Sequence, residues 1–374
     1  MRRLLHRPWL LAVKTYLRTA VRKRPGRPLE ELEPDRVRRV LILNATALGD
    51  LLFSTPALRA LRETYPAWEQ ELLVTPALAP LLAHHPGVTR LWAYPGRGLG
   101  LLRLMRELRE QAYDLAVILH GNDPEATLLA HGSGSPWLIG SAKSPLAFAY
   151  AARVAHPDPF EHAVERRLDY VRLLGADTAD TSMEIFLPRA ERERARDILA
   201  THFGAAPEML LALHPSGSAP YKRWPLENFA ELGRHLQEHY GAALLIISGV
   251  QDRTVAEALA ARLPGPALVT GGRHSLTTTA ALLSSCRLFV GNDSGPLHLA
   301  LALQVPTLAL MGADHPRRVG PYRVDWGDFL YRKEEVCDTE PCRTRRCRDN
   351  LCLQAITVRD VTTRLEAWWL QRRP

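Results

Sequence analysis

The sequence predicts an α/β protein made of two doubly wound domains, in which helices cover both faces of a parallel sheet. From Val37 onward, short apolar runs alternate with segments of helical periodicity, a pattern typical of parallel sheets. The same alternation starts again after a polar stretch that ends near Ala206. The length of 374 residues exceeds that of a typical single domain, so we expect two domains.

Apolar runs in the first half of the chain predict five buried strands. They lie at residues 40–43, 72–74, 88–92, 115–119 and 137–139. Helical patterns separate or follow these runs, at residues 50–65 (broken near Pro56), 99–110 and 165–174.

The second half repeats this order of elements. Strands are predicted at residues 209–213, 243–247, 267–269, 288–290 and 307–310, and helices at 226–239, 254–262, 277–285, 297–303 and 357–370. We therefore predict four segments: an arm at 1–35, two Rossmann-like domains at 36–185 and 186–352, and a C-terminal helix at 353–374 that packs back across the domains.

Composition indicates a globular protein with anionic partners. Hydrophobic residues make up 46% of the chain and charged residues 24%, and the formal net charge is +8. A basic surplus fits nucleic acid, phosphorylated sugars or an anionic membrane surface. No apolar run approaches the roughly 20 residues that a membrane span requires, and the N-terminus lacks a signal-peptide pattern, so we expect a cytoplasmic location.

The N-terminal arm reads as a basic amphipathic helix that ends at Pro25. Leu10, Val13, Leu17 and Val21 recur at helical spacing, while arginine and lysine residues line another side. One interpretation is that residues 1–24 bind the anionic inner face of the cytoplasmic membrane. The alternative is a helix packed on the protein body with a solvated basic face.

Four of the five cysteines follow one another at five-residue intervals. Cys337, Cys342, Cys347 and Cys352 form a cysteine-rich loop, whereas Cys286 has apolar neighbours and reads as a buried side chain. The intervals lie at the edge of usual zinc spacing. Free thiols, a metal site and disulfides all remain open for this loop.

The stretch from Val290 to Ala300 carries the most specific polar chemistry. Gly291 and Gly295 allow a turn between a buried strand and an apolar helix, which places Asp293 and Ser294 beside unpaired backbone N–H groups at the helix start. Such a position binds anions. Asp293 either caps the helix or holds another part of the ligand, such as sugar hydroxyls.

Two other loops follow predicted strands in the same way. Asp50, after the first strand, either caps a helix or removes a proton from an attacking hydroxyl. In the second domain, Ser216 and Ser218 offer donors, and Lys222 adds a positive charge suited to a diphosphate. The alternative for the latter loop is a solvated basic surface.

These motifs resemble glycosyltransferase family 9, the ADP-heptose:lipopolysaccharide heptosyltransferases. Three ordered motifs carry the resemblance, at Leu48–Asp50 with Thr55–Pro56, at Lys222–Pro225 and at Gly291–His298. The resemblance spans residues 37–370. It implies a GT-B fold, with an acceptor-binding first domain and a nucleotide-sugar-binding second domain facing a central cleft.

The resemblance also implies roles for individual residues. Asp50 would be the general base, and Asp293 would hold the donor sugar. The nearest match to the family's ribose-binding glutamate is Asp252, one methylene shorter, which would contact the nucleoside. The donor diphosphate would be bound by Ser216, Ser218, Lys222, Ser294, Gly295 and His298.

The expected function is transfer of a heptose from ADP-heptose to an inner-core or lipid-linked saccharide acceptor, with inversion and without a metal or other cofactor. Two alternatives remain: a transferase of the same fold that uses another nucleotide sugar, and a catalytically silent sugar-nucleotide-binding protein. Nucleic-acid binding is disfavoured, because no matching motif accompanies the positive charge.

Overall fold

The computed structural model describes residues 6–120, 124–337, 342, 347 and 349–369. The chain divides into two compact units, Met1–Thr181 and Ser182–Pro374. The boundary lies four residues before the one that we predicted at 185. The prediction of two doubly wound α/β domains is confirmed, because each unit is built on its own six-stranded parallel sheet.

The first unit has its sheet in the strand order β3-β2-β1-β4-β5-β6. The strands are β1 (Arg39–Asn44), β2 (Glu69–Val74), β3 (Arg90–Ala93), β4 (Leu115–Ile118), β5 (Trp137–Ser141) and β6 (Ala152–Val154). β1 and β4 are neighbours in the sheet although two strands separate them in the chain. The strand order reverses between them, and ligands of doubly wound folds bind beyond such a switch point.

Helices cover this first sheet. They are α1 (His6–Lys23), α2 (Leu48–Leu52), α3 (Thr55–Thr64), α4 (Ala79–Leu82), α5 (Leu99–Glu110), α6 (Pro124–Gly132) and α7 (Ala163–Arg172). The predicted break near Pro56 separates α2 from α3. Val13 and Leu17 of α1 are buried in the core of the first unit, so the N-terminal helix packs on the protein body.

The second unit repeats the topology, with strand order β12-β11-β10-β7-β8-β9. Its strands are β7 (Leu210–His214), β8 (Ala243–Ile246), β9 (Ala267–Val269), β10 (Leu288–Asn292), β11 (Thr307–Met311) and β12 (Gly327–Tyr331). The switch point of this sheet lies between β7 and β10, which are hydrogen-bonded neighbours. The loops predicted to carry donor-binding residues follow these two strands.

The helices described in the second unit include three of four residues each in its C-terminal part. They are α8 (Arg189–Phe203), α9 (Leu226–Tyr240), α10 (Arg253–Ala260), α11 (Leu276–Ser284), α12 (Gly295–Ala302), α13 (Pro316–Val319), α14 (Lys333–Val336), α15 (Leu351–Gln354) and α16 (Val358–Trp368). We expected the C-terminal helix to pack back across the domains. In the structure, Val361 and Leu365 of α16 lie in the hydrophobic core of the second unit, together with Trp369.

The cysteines are unpaired thiols. Cys286 is buried, as predicted, and burial raises its pKa. Burial is also the main cause of a raised pKa at Cys342, with further contributions from the neighbouring thiols Cys337 and Cys347. Most residues between these thiols lie outside the described part of the chain.

Candidate active site

In the first unit, the loop after β1 is held by the buried side chain of Asn44. Its Nδ2 donates to the Asp50 carbonyl oxygen at 3.1 Å and to Ser54 Oγ at 2.6 Å. A buried amide needs such partners, because an unpaired polar group in the core is costly. These bonds fix the start of α2 against the end of the strand, so the position of Asp50 is defined by the core beneath it.

Asp50 does not cap α2. Ala47 occupies the N-cap position, and Asp50 is the third residue of the helix. Its Oδ1 instead accepts a hydrogen bond from an Arg167 terminal nitrogen at 3.1 Å. Burial lowers the pKa of the Arg167 guanidinium, and the Asp50 carboxylate opposes that shift. The arginine orients the carboxylate while leaving it partly open to solvent.

His120 lies at the end of β4, the strand next to β1. Burial is the main cause of its lowered pKa, whereas the charge of Asp50 acts in the opposite direction. The imidazole therefore stays neutral near pH 7. It lines a small cavity with Thr46 and Tyr94. The switch point of the first unit thus contains a carboxylate, a guanidinium and a neutral imidazole.

In the second unit, the buried side chain of Asn292 connects β10 to the loop after β7. Its Nδ2 donates to the carbonyl oxygens of Pro215 and Ser216, each at 3.0 Å, and its Oδ1 accepts from the Trp224 backbone N–H at 2.9 Å. A Cβ at Gly217 would come within 2.9 Å of the Lys222 carbonyl oxygen, so glycine allows the loop to fold back there. These contacts hold Lys222 beside the end of β10.

Lys222 lies between two carboxylates. Its Nζ is 2.9 Å from Asp293 Oδ2 and 2.5 Å from Asp314 Oδ2. On the other side of Asp293, His298 Nε2 is 3.7 Å from Oδ1. Asp293 therefore pairs with side chains, and the capping alternative that the sequence left open is not what the structure shows.

The ionised forms of Lys222 and Asp293 stabilise each other. Burial raises the pKa of the Asp293 carboxyl, but its hydrogen bond with His298 and the charge of Lys222 outweigh burial and hold the pKa well below the usual range. Burial likewise lowers the pKa of Lys222, and the charges of Asp293 and Asp314 overcome that effect and raise it. Both groups are charged at neutral pH.

The remaining predicted donor-site residues lie in the loop after β7 and in α12 with its N-cap. Ser294 is the N-cap residue of α12, and Gly295 is the first residue of that helix. The Ser216 hydroxyl is buried, and no described group is within hydrogen-bonding distance of it. The Ser248 hydroxyl, after β8, is also buried without a hydrogen-bond partner among the described groups. Buried hydroxyls without a partner at a strand end are suited to receive a ligand, and sequence reasoning did not identify Ser248.

Asp252, the predicted nucleoside contact, forms an ion pair. Its Oδ1 lies 3.0 Å from an Arg223 terminal nitrogen, and the same guanidinium donates to the Gly217 carbonyl oxygen at 3.1 Å. Arg223 thus connects the loop after β7 to the start of α10. The role of Asp252 toward a nucleoside stays a prediction.

Buried His214, at the end of β7, makes the stability of the second unit depend on pH. Burial lowers its pKa to about 4, from an ordinary value of 6.5. Between these values the unfolded chain binds a proton that the folded chain does not, so stability falls as the pH drops from 6.5 toward 4. We expect His214→Asn to remove up to about 2.5 kcal/mol of the stability difference between pH 7 and pH 4.5.

Chemical denaturation at the two pH values measures this difference. The exposed residue His84 provides the control, because His84→Asn should leave the pH dependence unchanged. An equal loss of stability on acidification in wild type and His214→Asn would show that another group is responsible.

Among the described residues, one cluster has the side chains to hold a metal ion. It consists of His156, Glu161 and Asp169 in the first unit. Arg172 lies 3.0 Å from the Asp169 carboxylate, and Arg166 lies 3.7 Å from that of Glu161. These arginines already neutralise the carboxylates, so the cluster reads as an ion-pair network.

The chain resembles known proteins over most of its length. A model of glycosyltransferase family 9 (heptosyltransferase) matches residues 101–348. Lipopolysaccharide heptosyltransferase 1 of Pseudomonas aeruginosa is 31% identical over 303 residues, which cover 76% of this chain and 81% of that protein. The chain belongs to glycosyltransferase family 9. The family resemblance inferred from the three motifs is confirmed, and the protein is a glycosyltransferase.

One further relative and two solved structures are also similar to this family 9 glycosyltransferase. Lipopolysaccharide heptosyltransferase 2 of Salmonella typhimurium is 26% identical over 294 residues, covering 74% of this chain and 84% of that protein. A family 9 glycosyltransferase structure from Veillonella parvula has a TM-score of 0.78 at 22% identity, covering 89% of this chain and 97% of that one. The Escherichia coli ADP-heptose lps heptosyltransferase II has a TM-score of 0.74 at 22% identity, covering 89% and 99%. The two structures support the GT-B fold class.

Sequence reasoning missed four side chains that this family 9 glycosyltransferase brings to its switch points. Arg167 lies in the helix predicted at residues 165–174, and His120 follows the strand predicted at residues 115–119. Asn292 lies inside the third motif, but nothing marked it as the structural centre of the donor loops. Asp314 follows β11, and no local pattern pointed to its contact with Lys222.

Proposed function

We propose that the protein transfers a heptose from ADP-heptose to a lipopolysaccharide inner-core or other lipid-linked saccharide acceptor. The observation that carries the proposal is the ion pair between half-buried Lys222, in the loop after β7, and buried Asp293, just before α12. It combines a cation for a diphosphate with a carboxylate for sugar hydroxyls at a switch point. Membership of family 9 and the names of the relatives supply the heptose and the lipopolysaccharide acceptor.

In the proposed reaction, Asp50 removes the proton from the acceptor hydroxyl as that oxygen attacks the anomeric carbon of the donor sugar. The bond between that carbon and the diphosphate oxygen breaks, and ADP leaves. A single displacement of this kind inverts the anomeric configuration. A terminal nitrogen of Arg167, 3.1 Å from Asp50 Oδ1, orients the carboxylate. The guanidinium keeps its own proton in this contact, so the carboxylate can accept the proton of the acceptor hydroxyl.

The leaving diphosphate requires positive charge. Lys222 and the N–H groups at the start of α12 supply it, with the hydroxyls of Ser216, Ser218 and Ser294 as further donors. His298 supports Asp293 on the side away from Lys222. Because these protein groups can stabilise the leaving group directly, we propose transfer that does not depend on a metal ion.

A panel of nucleotide sugars tests the donor. The purified protein is incubated with a lipid-linked core acceptor and each donor in turn, with and without EDTA, and nucleotide release is followed. We expect acceptor-dependent release of ADP from ADP-heptose, unchanged by EDTA. Release from another nucleotide sugar alone would favour the same-fold transferase. Donor binding without turnover on any acceptor would favour the silent binding protein.

We also propose that the enzyme acts as a peripheral protein on the cytoplasmic face of the membrane, held by α1. None of the described helices is long and apolar enough to span a bilayer. Beside the buried residues Val13 and Leu17, the helix carries half-buried Lys14 and the exposed residues Arg18 and Arg22, which form no ion pair among the described side chains. The Arg18 guanidinium lies 5.9 Å from the centre of the Phe148 ring. Leu11 on the same helix is 65% exposed.

Helix α5 extends this surface with further apolar groups. Its first turn exposes Leu99 and Leu102, at 85% and 54%. Arg97, just before α5, lies over the Trp9 ring of α1 at 5.8 Å, so the exposed leucines are close to the N-terminal half of α1. Cationic side chains beside exposed leucines match an anionic bilayer, which offers both negative headgroups and an apolar interior.

Vesicle flotation tests the membrane proposal. We expect the wild type to float with vesicles containing phosphatidylglycerol but not with phosphatidylcholine alone. Replacing Arg18 and Arg22 by glutamine should weaken binding by about tenfold or more, since each basic residue contributes roughly 1 kcal/mol. The control replaces the exposed residues Arg192 and Arg196 of α8 by glutamine. An equal effect of both double variants would indicate a net-charge effect and contradict docking through α1.

A further inference from the structure

The ammonium group of Lys222 has a second carboxylate partner that its proposed role does not require. Asp314, in the loop between β11 and α13, places Oδ2 2.5 Å from Nζ. Its side chain is 31% exposed, whereas that of Asp293 is 8% exposed. Asp293 is also held by His298, at 3.7 Å. Of the two carboxylates, Asp314 is the one that can turn away from Lys222 toward solvent.

The charges around Lys222 do not favour an incoming anion. One ammonium beside two carboxylates gives this cluster a net charge of −1, because the Asp293 carboxyl stays ionised. A diphosphate that approaches Lys222 meets the negative charge of Asp314 at short range, and like charges at such distances repel. A donor can reach the full positive charge of the lysine only when Asp314 has moved.

We propose that Asp314 is an internal counter-ion that occupies the phosphate-facing side of Lys222 in the empty site and is displaced by the donor diphosphate. The inference rests on the proposed function, because it assigns the diphosphate to Lys222. Asp314 keeps a poorly exposed lysine paired after ADP has left. It also weakens the binding of ADP, which favours product release over retention.

Calorimetric titration of wild type and Asp314→Asn with ADP, adenosine and inorganic pyrophosphate tests the inference. We expect the variant to bind ADP and pyrophosphate roughly fivefold more tightly, the effect of removing one partly exposed ion pair. Adenosine has no phosphate, so its affinity should not change. An altered fold would change all three affinities. Asp314→Ser provides a second variant, and thermal unfolding checks that both are folded.

Two further variants make the test specific to Lys222. Glu334→Gln removes one negative charge from an exposed side chain that pairs with His315 at 3.4 Å, and it should leave ADP affinity unchanged. In a Lys222→Gln background, Asp314→Asn should increase the affinity for ADP by much less, because the contested ammonium is absent and only the direct repulsion of the diphosphate is relieved.

The outcomes separate this inference from the proposed function. Tighter pyrophosphate binding by Asp314→Asn without any ADP binding would support the counter-ion and contradict the adenine nucleotide. Unchanged or weaker binding of both ligands by Asp314→Asn would overturn the counter-ion, even if ADP-heptose proves to be the donor. An equal gain in the Lys222→Gln background would also overturn it.

Discussion

Asp50→Asn should lower the turnover of ADP-heptose by roughly a thousandfold, within the range that a general base contributes. The amide cannot accept the proton of the acceptor hydroxyl, but its oxygen can still accept the hydrogen bond from Arg167 that holds the side chain at 3.1 Å. The second unit contains the proposed donor contacts, so ADP affinity should change less than twofold, within about 0.4 kcal/mol. Single-turnover kinetics and ADP titration measure the two quantities separately.

The matched control for this variant is Asp35→Asn, since Asp35 is an exposed carboxylate of the same unit. It should retain wild-type turnover. Normal turnover of Asp50→Asn would remove Asp50 as the base. His120 would then be the next candidate, because its neutral imidazole lies in the electrostatic field of Asp50.

Lys222→Met should reduce ADP affinity by roughly a hundredfold, because charge-assisted hydrogen bonds to a phosphate are lost. It should also lower the stability of the second unit. The substitution leaves Asp293 buried beside Asp314 without the cation between them, and an unpaired buried charge costs about 3–5 kcal/mol. Arginine at this position keeps the charge, so Lys222→Arg should recover most of the stability and part of the affinity.

Calorimetry with ADP and thermal unfolding give the two quantities for the Lys222 variants. Lys23→Met, at an exposed position at the end of α1, serves as the control for the loss of one lysine charge. Full ADP affinity in Lys222→Met would show that the diphosphate binds elsewhere. A loss of affinity in Lys222→Met with unchanged stability would instead show that the lysine contributes little to the empty protein.

Strand positions could be predicted where a run of apolar residues marks a strand buried on both faces. β7 and β10 in the second unit are of this kind, and the sequence located both within one or two residues. The edge strands β6 and β12 were missed. β6 has three residues, and β12 is only partly buried along its length, so neither shows a continuous apolar run.

Only those candidate-site residues that belong to local sequence motifs could be predicted. A turn between a strand and a helix identified Asp50 and Asp293, because both follow strands next to a switch point. Arg167 contacts Asp50 from a position 117 residues further along the chain. In the second unit, Asp314 contacts Lys222 from the loop after β11, the strand that pairs with β10. Their roles depend on the strand order of each sheet, and no spacing along the chain reveals it.

The capping alternatives at Asp50 and Asp293 show the same limit. Aspartate near a helix start is most often a cap, and the local sequence could not decide the question. In the structure, Arg167 pairs with the first carboxylate and Lys222 with the second. Both partners lie on other elements of the respective unit, so tertiary contacts exclude the capping alternative, and the chemical roles of both carboxylates stay predictions.

Product analysis after incubation with ADP-heptose and a heptose-free, lipid-linked inner-core acceptor tests the central claim most directly. Mass spectrometry of the acceptor should show the addition of one heptosyl residue, with one ADP released per transfer, and proton NMR should show an anomeric configuration opposite to that of the donor. An unmodified acceptor under conditions in which the protein binds ADP-heptose would contradict the claim. A product with the configuration of the donor retained would contradict the single displacement with Asp50 as its base.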